Sequence, residues 1–146
     1  MKAYFQKLFE HEQWANAEVL ASFLKAEQPP TRAIEILSHM ISAQRIWIAR
    51  IKGIRSDTKV WELYETEQLK DFQTANFNDL SALLETEDFS RQVVYRNSQG
   101  NEYISTVTDI LTHLALHAAY HRGQVVLLMK GQVEPLPTTD YIFYYR

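Results

Sequence analysis

The segment Thr106 to Lys130, TVTDILTHLALHAAYHRGQVVLLMK, constrains this chain more than any other. It carries three of the five histidines, at positions 113, 117 and 121, each four residues after the last. A helix turns about 100° per residue, so steps of four drift by only about 40°. His113, His117 and His121 therefore lie along one stripe. Ile110, Leu114, Val125 and Leu128 fall on or beside it, which predicts that the stripe faces the core. Neutral imidazoles on successive turns of a buried face suit a metal ion. One ion cannot take all three. His113 and His121 are about 12 Å apart along the axis, whereas ligand nitrogens sit about 2 Å from zinc. One i, i+4 pair can share an ion, and the third ligand must come from elsewhere in the chain.

The scaffold for such a site is a single domain, since 146 residues suffice for one sizeable core. Apolar residues make up 46% and charged residues 23% of the chain, both ordinary for a globular protein. The net charge of −3 and the sequence pI of about 5.9 come with no basic run, which argues against nucleic-acid binding. No apolar run reaches the roughly 18 residues of a spanning helix, and the amphipathic start MKAYFQKLFEHE does not read as a signal peptide. The expectation is a cytoplasmic protein without membrane attachment. Cysteine is absent, which removes disulfides, a Cys nucleophile and thiolate ligands.

Residues 3–25 read as a first helix, with Phe5, Leu8, Ala15, Val19 and Phe23 at helical spacing. Glu12 falls within that stripe and Asn16 at its edge. A carboxylate on an apolar face costs free energy unless it is paired or linked to a metal. Glu12 is thus either a weak candidate base, a second partner of a metal-bound histidine, a partly exposed Glu at a bundle end, or one paired with an arginine. His11 flanks the stripe and reads as a surface histidine.

Pro29-Pro30 ends this helix, and Thr31 is a plausible N-cap for a second one ending at Gly53. On it Ile36, His39, Ala43, Ile46, Trp47 and Arg50 share a face. A lone histidine on such a face is usually a hydrogen-bonded core residue; beside a separate His pair, His39 becomes the natural third ligand. Arg50 can hold an anionic substrate or pair with a carboxylate. Residues 54–66 read as a connector anchored by Trp61, and 67–87 as a third helix burying Leu69, Phe72, Asn76, Leu80 and Leu83. RQVVY and NEYIS around Asn97-Ser98-Gln99-Gly100 read as a hairpin. Ser105 or Thr106 caps the fourth helix, and Gly131 ends it. The tail has two prolines, so it reads as non-helical, and its Tyr141, Ile142, Phe143, Tyr144 and Tyr145 should pack back on the helices or on a partner. The expected architecture is all-α, a four-helix bundle with a long crossover, a short hairpin before the last helix and an extended C-terminal tail.

The run His113-x-x-x-His117-Ala-Ala-Tyr-His121-Arg-Gly-Gln resembles the signature of the DinB/YfiT-like metalloenzymes. The likeness extends to Trp14-Ala-Asn16, to His39 within LSHMISAQRIWIARIKG, and to Thr139-Asp140-Tyr141, in consistent order over essentially the whole chain. This resemblance implies a four-helix bundle, commonly homodimeric, with a divalent metal, zinc or nickel, held by His39, His117 and His121. His113 then becomes a pocket residue one turn away. The family name refers to DNA-damage induction rather than DNA binding, and some members use a low-molecular-weight thiol in transferase or isomerase reactions.

Three neutral imidazoles leave a divalent ion an open position, whereas structural sites usually close with four protein ligands. The expected function is a metal-dependent enzyme, a transferase or hydrolase, acting on a small-molecule substrate, with any thiol cosubstrate supplied from outside. The rival is a non-catalytic metal-binding stress-response or interaction protein on the same scaffold. No His-Glu-x-x-His occurs, so the metalloprotease pattern is absent. Tyr120 and Arg122 point away from the ligand stripe, and Arg122 reads as a partner of Asp140 that pins the tail. Gly123 suggests a close helix contact. Gln124, back on the inner face, can hydrogen-bond near the site.

Overall fold

The computed structural model describes all residues 1–146. Four long helices dominate it: Lys2–Phe23 (α1), Thr31–Lys52 (α2), Thr66–Thr86 (α3) and Val107–Leu128 (α4). An antiparallel hairpin of Gln92–Arg96 (β1) and Glu102–Thr106 (β2) precedes α4, and a short helix Tyr141–Tyr144 (α5) lies in the tail. None of the helices is long and apolar enough to cross a membrane.

Local chemistry sets most boundaries. Gly53 ends α2 in the left-handed conformation at φ 66°, where a side chain would be strained. Thr106 starts α4 with a reciprocal cap: its Oγ1 accepts from the Asp109 backbone N–H at 3.1 Å, and the Asp109 carboxylate accepts from the Thr106 N–H. The first cap of α2 differs from the sequence reading. Thr31 is already the first helical residue and Pro30 occupies the cap position without a side-chain bond. The hairpin follows the Asn97–Gly100 signal. Arg96 faces Glu102 in register, their side chains 2.8 Å apart, and Gly100 supplies a positive φ of 84°.

The helices pack as pairs α2/α4, α1/α3, α2/α3 and α1/α4. Two apolar clusters fill the interior. One gathers Phe5 and Phe9, Ile48 and Ile51, Leu80, Leu83 and Leu84, and Ile110, Leu111 and Leu114, with Val93 of the hairpin. The other gathers Val19, Leu20 and Phe23, Ile36, Leu37 and Met40, Leu69, and Val125 and Met129. The starts of α1 and α4 thus share one end with the finishes of α2 and α3. The chain leaving α2 must therefore travel back along it before α3 can begin. Residues 54–65 make that return. The Tyr64 backbone N–H donates to Ser38 Oγ at 3.2 Å, and Ser42 Oγ donates to the Tyr64 hydroxyl at 3.1 Å. Ser38 and Ser42 are fully buried, one turn apart on α2, so they fix the connector against that helix.

Three expectations fail. The buried stripe of α4 runs through Ile110, Leu111, Leu114, Ala118, Arg122 and Val125, rotated from the histidine stripe. His113 is exposed and His117 and His121 are half-buried at its margin. The tail contains a helical turn beyond its prolines, because Pro135 and Pro137 end before Asp140, where α5 starts. A side chain at Gly123 would meet nothing within 4 Å, so no close helix contact requires the glycine. The tail does pack back: Tyr144 lies 5.3 Å from Trp14, and the Tyr145 hydroxyl donates to the Lys7 carbonyl.

Leu111, fully enclosed in the first cluster, reports on this packing. Leu111→Ala should lower unfolding free energy by about 3 kcal/mol in urea titration; a loss below about 1 kcal/mol would mean that the interior around α4 is loosely packed.

Candidate metal centre

The return of the connector along α2 brings a backbone carbonyl to His39. His39 Nδ1–H donates to the Val60 carbonyl at 2.8 Å. Trp61, the next residue, stacks on the His39 ring at 4.0 Å between centroids and nearly parallel to it. With Nδ1 occupied, Nε2 carries the lone pair and faces α4. It lies 3.1 Å from His117 Nε2. His121 completes the group, its ring 4.9 Å from that of His39 and 4.4 Å from that of His117. One nitrogen from each of the three residues lies within 4.8 Å of the others.

His121 is held in the same manner as His39. Its Nδ1–H donates to Gln124 Oε1 at 2.8 Å, one turn further along α4. Two of the three rings thus have their outward nitrogens fixed by acceptors, which turns Nε2 inward. Nitrogens bonded at about 2 Å to an ion of tetrahedral geometry are about 3.3 Å apart. The 3.1 Å separation of the His39 and His117 nitrogens is close to that span.

Electrostatics favour a neutral, ligating form. Burial lowers the His117 pKa to about 4, with the neighbouring His121, His39 and His113 adding to the shift. Burial also lowers His39, partly offset by its hydrogen bond to Val60. Protons therefore compete weakly for these nitrogens near neutral pH. His113 stays outside the group. Its ring packs 5.4 Å from Trp47 and 5.4 Å from His117, and partial burial, with the Arg50 charge second, lowers its pKa.

The remaining polar positions form a layer at mid-depth of the helices. Glu12 is buried, its Oε1 accepting from Gln44 Nε2 at 2.9 Å while Oε2 has no protein partner. It makes no hydrogen bond to the three histidines. Glu12, Asn16, Gln44 and His117 border a cavity of about 30 Å³, room for about two waters. Arg122 pairs differently from the sequence reading. Its Nη1–H donates to Asn16 Oδ1 at 3.1 Å, and Glu12 rather than Asp140 is the carboxylate whose charge supports it. The residue does point away from the histidine stripe, but that direction leads into the interior between α1 and α4. Position 11 also departs from expectation. His11 is buried, with Nε2–H donating to the Thr139 carbonyl at 2.9 Å and Tyr141 and Tyr144 packed on its ring. The apolar tail expected to fold back is what covers it. Arg50 has no carboxylate partner; it stacks on Trp47 and Tyr95.

Sequence reasoning had no access to Val60, because a carbonyl acceptor leaves no residue-type signal. Trp61 was legible as an anchor, not as the stacking partner of His39.

Burial pushes the Glu12 carboxyl up to about 7, against the opposing pull of Arg122 and Gln44. Between the ordinary value of 4.5 and about 7, the folded chain holds a proton that the unfolded chain has released. Stability must therefore fall as pH rises through that window. Glu12→Gln should remove the decline and gain on the order of 3 kcal/mol over the unsubstituted chain above about pH 7, relative to their difference in acid. Urea titrations across pH test this, and a constant difference between the two proteins would rule out Glu12 as the elevated group.

The model of the DinB family matches residues 1–146. Protein DinB of Bacillus subtilis (strain 168) is similar to the chain at 22% identity over 168 residues, covering 99% of this chain and 95% of that protein. No solved structure matches it. With the family match running from the first residue to the last and the histidine run at its place in α4, the chain belongs to the DinB family.

Proposed function

We propose that His39, His117 and His121 bind one divalent ion, zinc or nickel, and that the loaded centre is the active site of an enzyme acting on a small molecule. The observation that carries this reading is the convergence of three ligand nitrogens within 4.8 Å, two of them on rings whose outward nitrogens are already engaged. The donor set fits such ions. Nitrogen ligation suits zinc and nickel, and neutral imidazoles leave the ion its full charge. When bound, the ion supplies Lewis acidity and lowers the pKa of a water or thiol in the remaining position.

The chain's own residues do the positioning. The Val60 carbonyl and Gln124 Oε1 fix the tautomers of His39 and His121. Trp61 covers one face of His39 and excludes water from it. A chain without cysteine must take any thiol from solution, which favours a transferase using an external low-molecular-weight thiol over a Cys-dependent reaction. Hydrolysis would need a base beside the triad, and Glu12 makes no direct contact with it.

The packing order and the return of residues 54–65 support reading the helices as a four-helix bundle with one long crossover. Exposed Tyr4 on α1 and Leu116, Tyr120 and Leu127 on α4 support a homodimer through that face, in the cytoplasm.

Protein purified without chelator and supplied with zinc or nickel should carry close to stoichiometric metal. His39→Ala and His117→Ala should lose nearly all of it. Gln124→Leu should weaken affinity about 10- to 100-fold while leaving the ligands in place. Negligible metal in the unsubstituted protein would refute the centre. Thiol-adduct formation with an electrophile, compared with and without chelator, separates the enzyme from a non-catalytic metal-binding stress-response or interaction protein: chelator-insensitive rates favour the latter.

A further inference from the structure

One cation on α2 is held ready without a counter-charge. Arg50 lies in the last turn of that helix. Its guanidinium sits 4.3 Å from the Trp47 ring and 4.8 Å from the Tyr95 ring. Its protein hydrogen bond runs from Nη2–H to the Arg96 carbonyl at 3.0 Å. The two rings meet edge to face, 4.8 Å between centroids, and a guanidinium seated over that corner loses little freedom on binding a ligand and keeps further N–H donors to offer.

Arg50 borders a cleft of about 410 Å³. Lys59 and Arg96 also line it, beside Thr58, Asn97 and Ser98, and no Asp or Glu does. Arg96 is already engaged by the Glu102 carboxylate at 2.8 Å and the Gly100 carbonyl at 3.0 Å, which leaves Arg50 and Lys59 to set the cleft's charge. No histidine lines the cleft; its link to the histidine group is Val60. Val60 lines the cleft, and the Val60 carbonyl is the acceptor that holds His39. Across from Arg50, His113 packs on Trp47 one turn before His117.

We infer that Arg50 binds the carboxylate of a small substrate whose reacting end lies at His39, His117 and His121. The inference rests on the proposed function for that second clause. Arg50 follows His39 by eleven residues, about 16 Å along the helix axis. Both side chains lean toward the helix N-terminus, but the longer Arg50 reaches back over Trp47, eight residues after His39, so a substrate of roughly 12 Å bridges the gap. A carboxylate suits the position better than a phosphate dianion. The planar guanidinium edge matches a carboxylate in a bidentate pair, while the carbonyl end of α2 repels a second negative charge.

Benzoate, its neutral isostere benzamide and phenyl phosphate serve as probes. Binding is followed through the fluorescence of Trp47 against Trp47→Phe as a blank, in chelator and again with zinc. In chelator, benzoate should bind saturably and at least about tenfold more tightly than benzamide. Arg50→Gln should abolish that preference with unchanged zinc content. Arg50→Lys, which keeps the charge at the helix end but not the planar pair, should retain only part of it. Equal binding of benzoate and benzamide, or a preference that survives Arg50→Gln, overturns the inference. Tighter binding of phenyl phosphate than of benzoate overturns the choice of carboxylate. The two readings fail separately. Absent zinc with intact benzoate preference removes the metal centre and leaves an anion site. Bound zinc without the preference removes Arg50 as the anchor.

Discussion

Three imidazoles can occupy one spot only while they remain uncharged or share an ion. Two unit charges about 4 Å apart repel by about 4 kcal/mol at the effective dielectric near a protein surface, and here three rings crowd within 4.8 Å. Burial therefore keeps protons off His39 and His117. Desolvation drives the His117 pKa to about 4, and acceptors at Val60 and Gln124 dictate which nitrogen of His39 and His121 carries the hydrogen. The same features that make the group tolerable without a ligand suit it to a cation. Packing of α2 on α4 brings the rings together, and the connector seated on Ser38 and Ser42 locks the first of them.

A second polar system lies behind the first. Glu12, Asn16, Gln44 and Arg122 occupy the level between two apolar clusters, where apolar side chains from all four helices would otherwise meet. Buried charge of this kind contributes little net stability, since its desolvation cancels most of the attraction. Glu12 and Arg122 each retain an atom without a protein partner, which shows how incompletely the pair is satisfied. Satisfied or not, polar groups at one depth on successive helices disfavour sliding by a turn, because a shift would set them against apolar neighbours.

Much of this was legible in the residues themselves. Spacing placed His113, His117 and His121 on one stripe, the need for a third ligand pointed to His39, and only the family resemblance singled out the 117/121 pair that the structure groups with His39. The hairpin followed from Asn97 to Gly100, and the capping of α4 from Thr106. Misreadings share one cause. A helical wheel gives the angle between two residues but not which angle faces the interior. His11 was placed on the surface and Arg122 beside Asp140 of the tail on that basis; the returning tail in fact covers His11, and α1 covers Arg122 and gives it Asn16 as partner. Gln124 was found because an i, i+3 step on one helix is a local relation. Val60 was not, because its partner lies 21 residues away and acts through its backbone.

The sequence by itself determined the helices, the hairpin, the absence of sulfur ligands and the ladder of histidines, since these depend on periodicity, turn chemistry and composition over short stretches. Tertiary structure decided which side of each helix is inside, which nitrogen of His39 and His121 is engaged, and that Arg50 rests against Trp47 and Tyr95 without a carboxylate. Those outcomes depend on the meeting of segments far apart in the chain, and pairwise spacing carries no information about where distant segments meet.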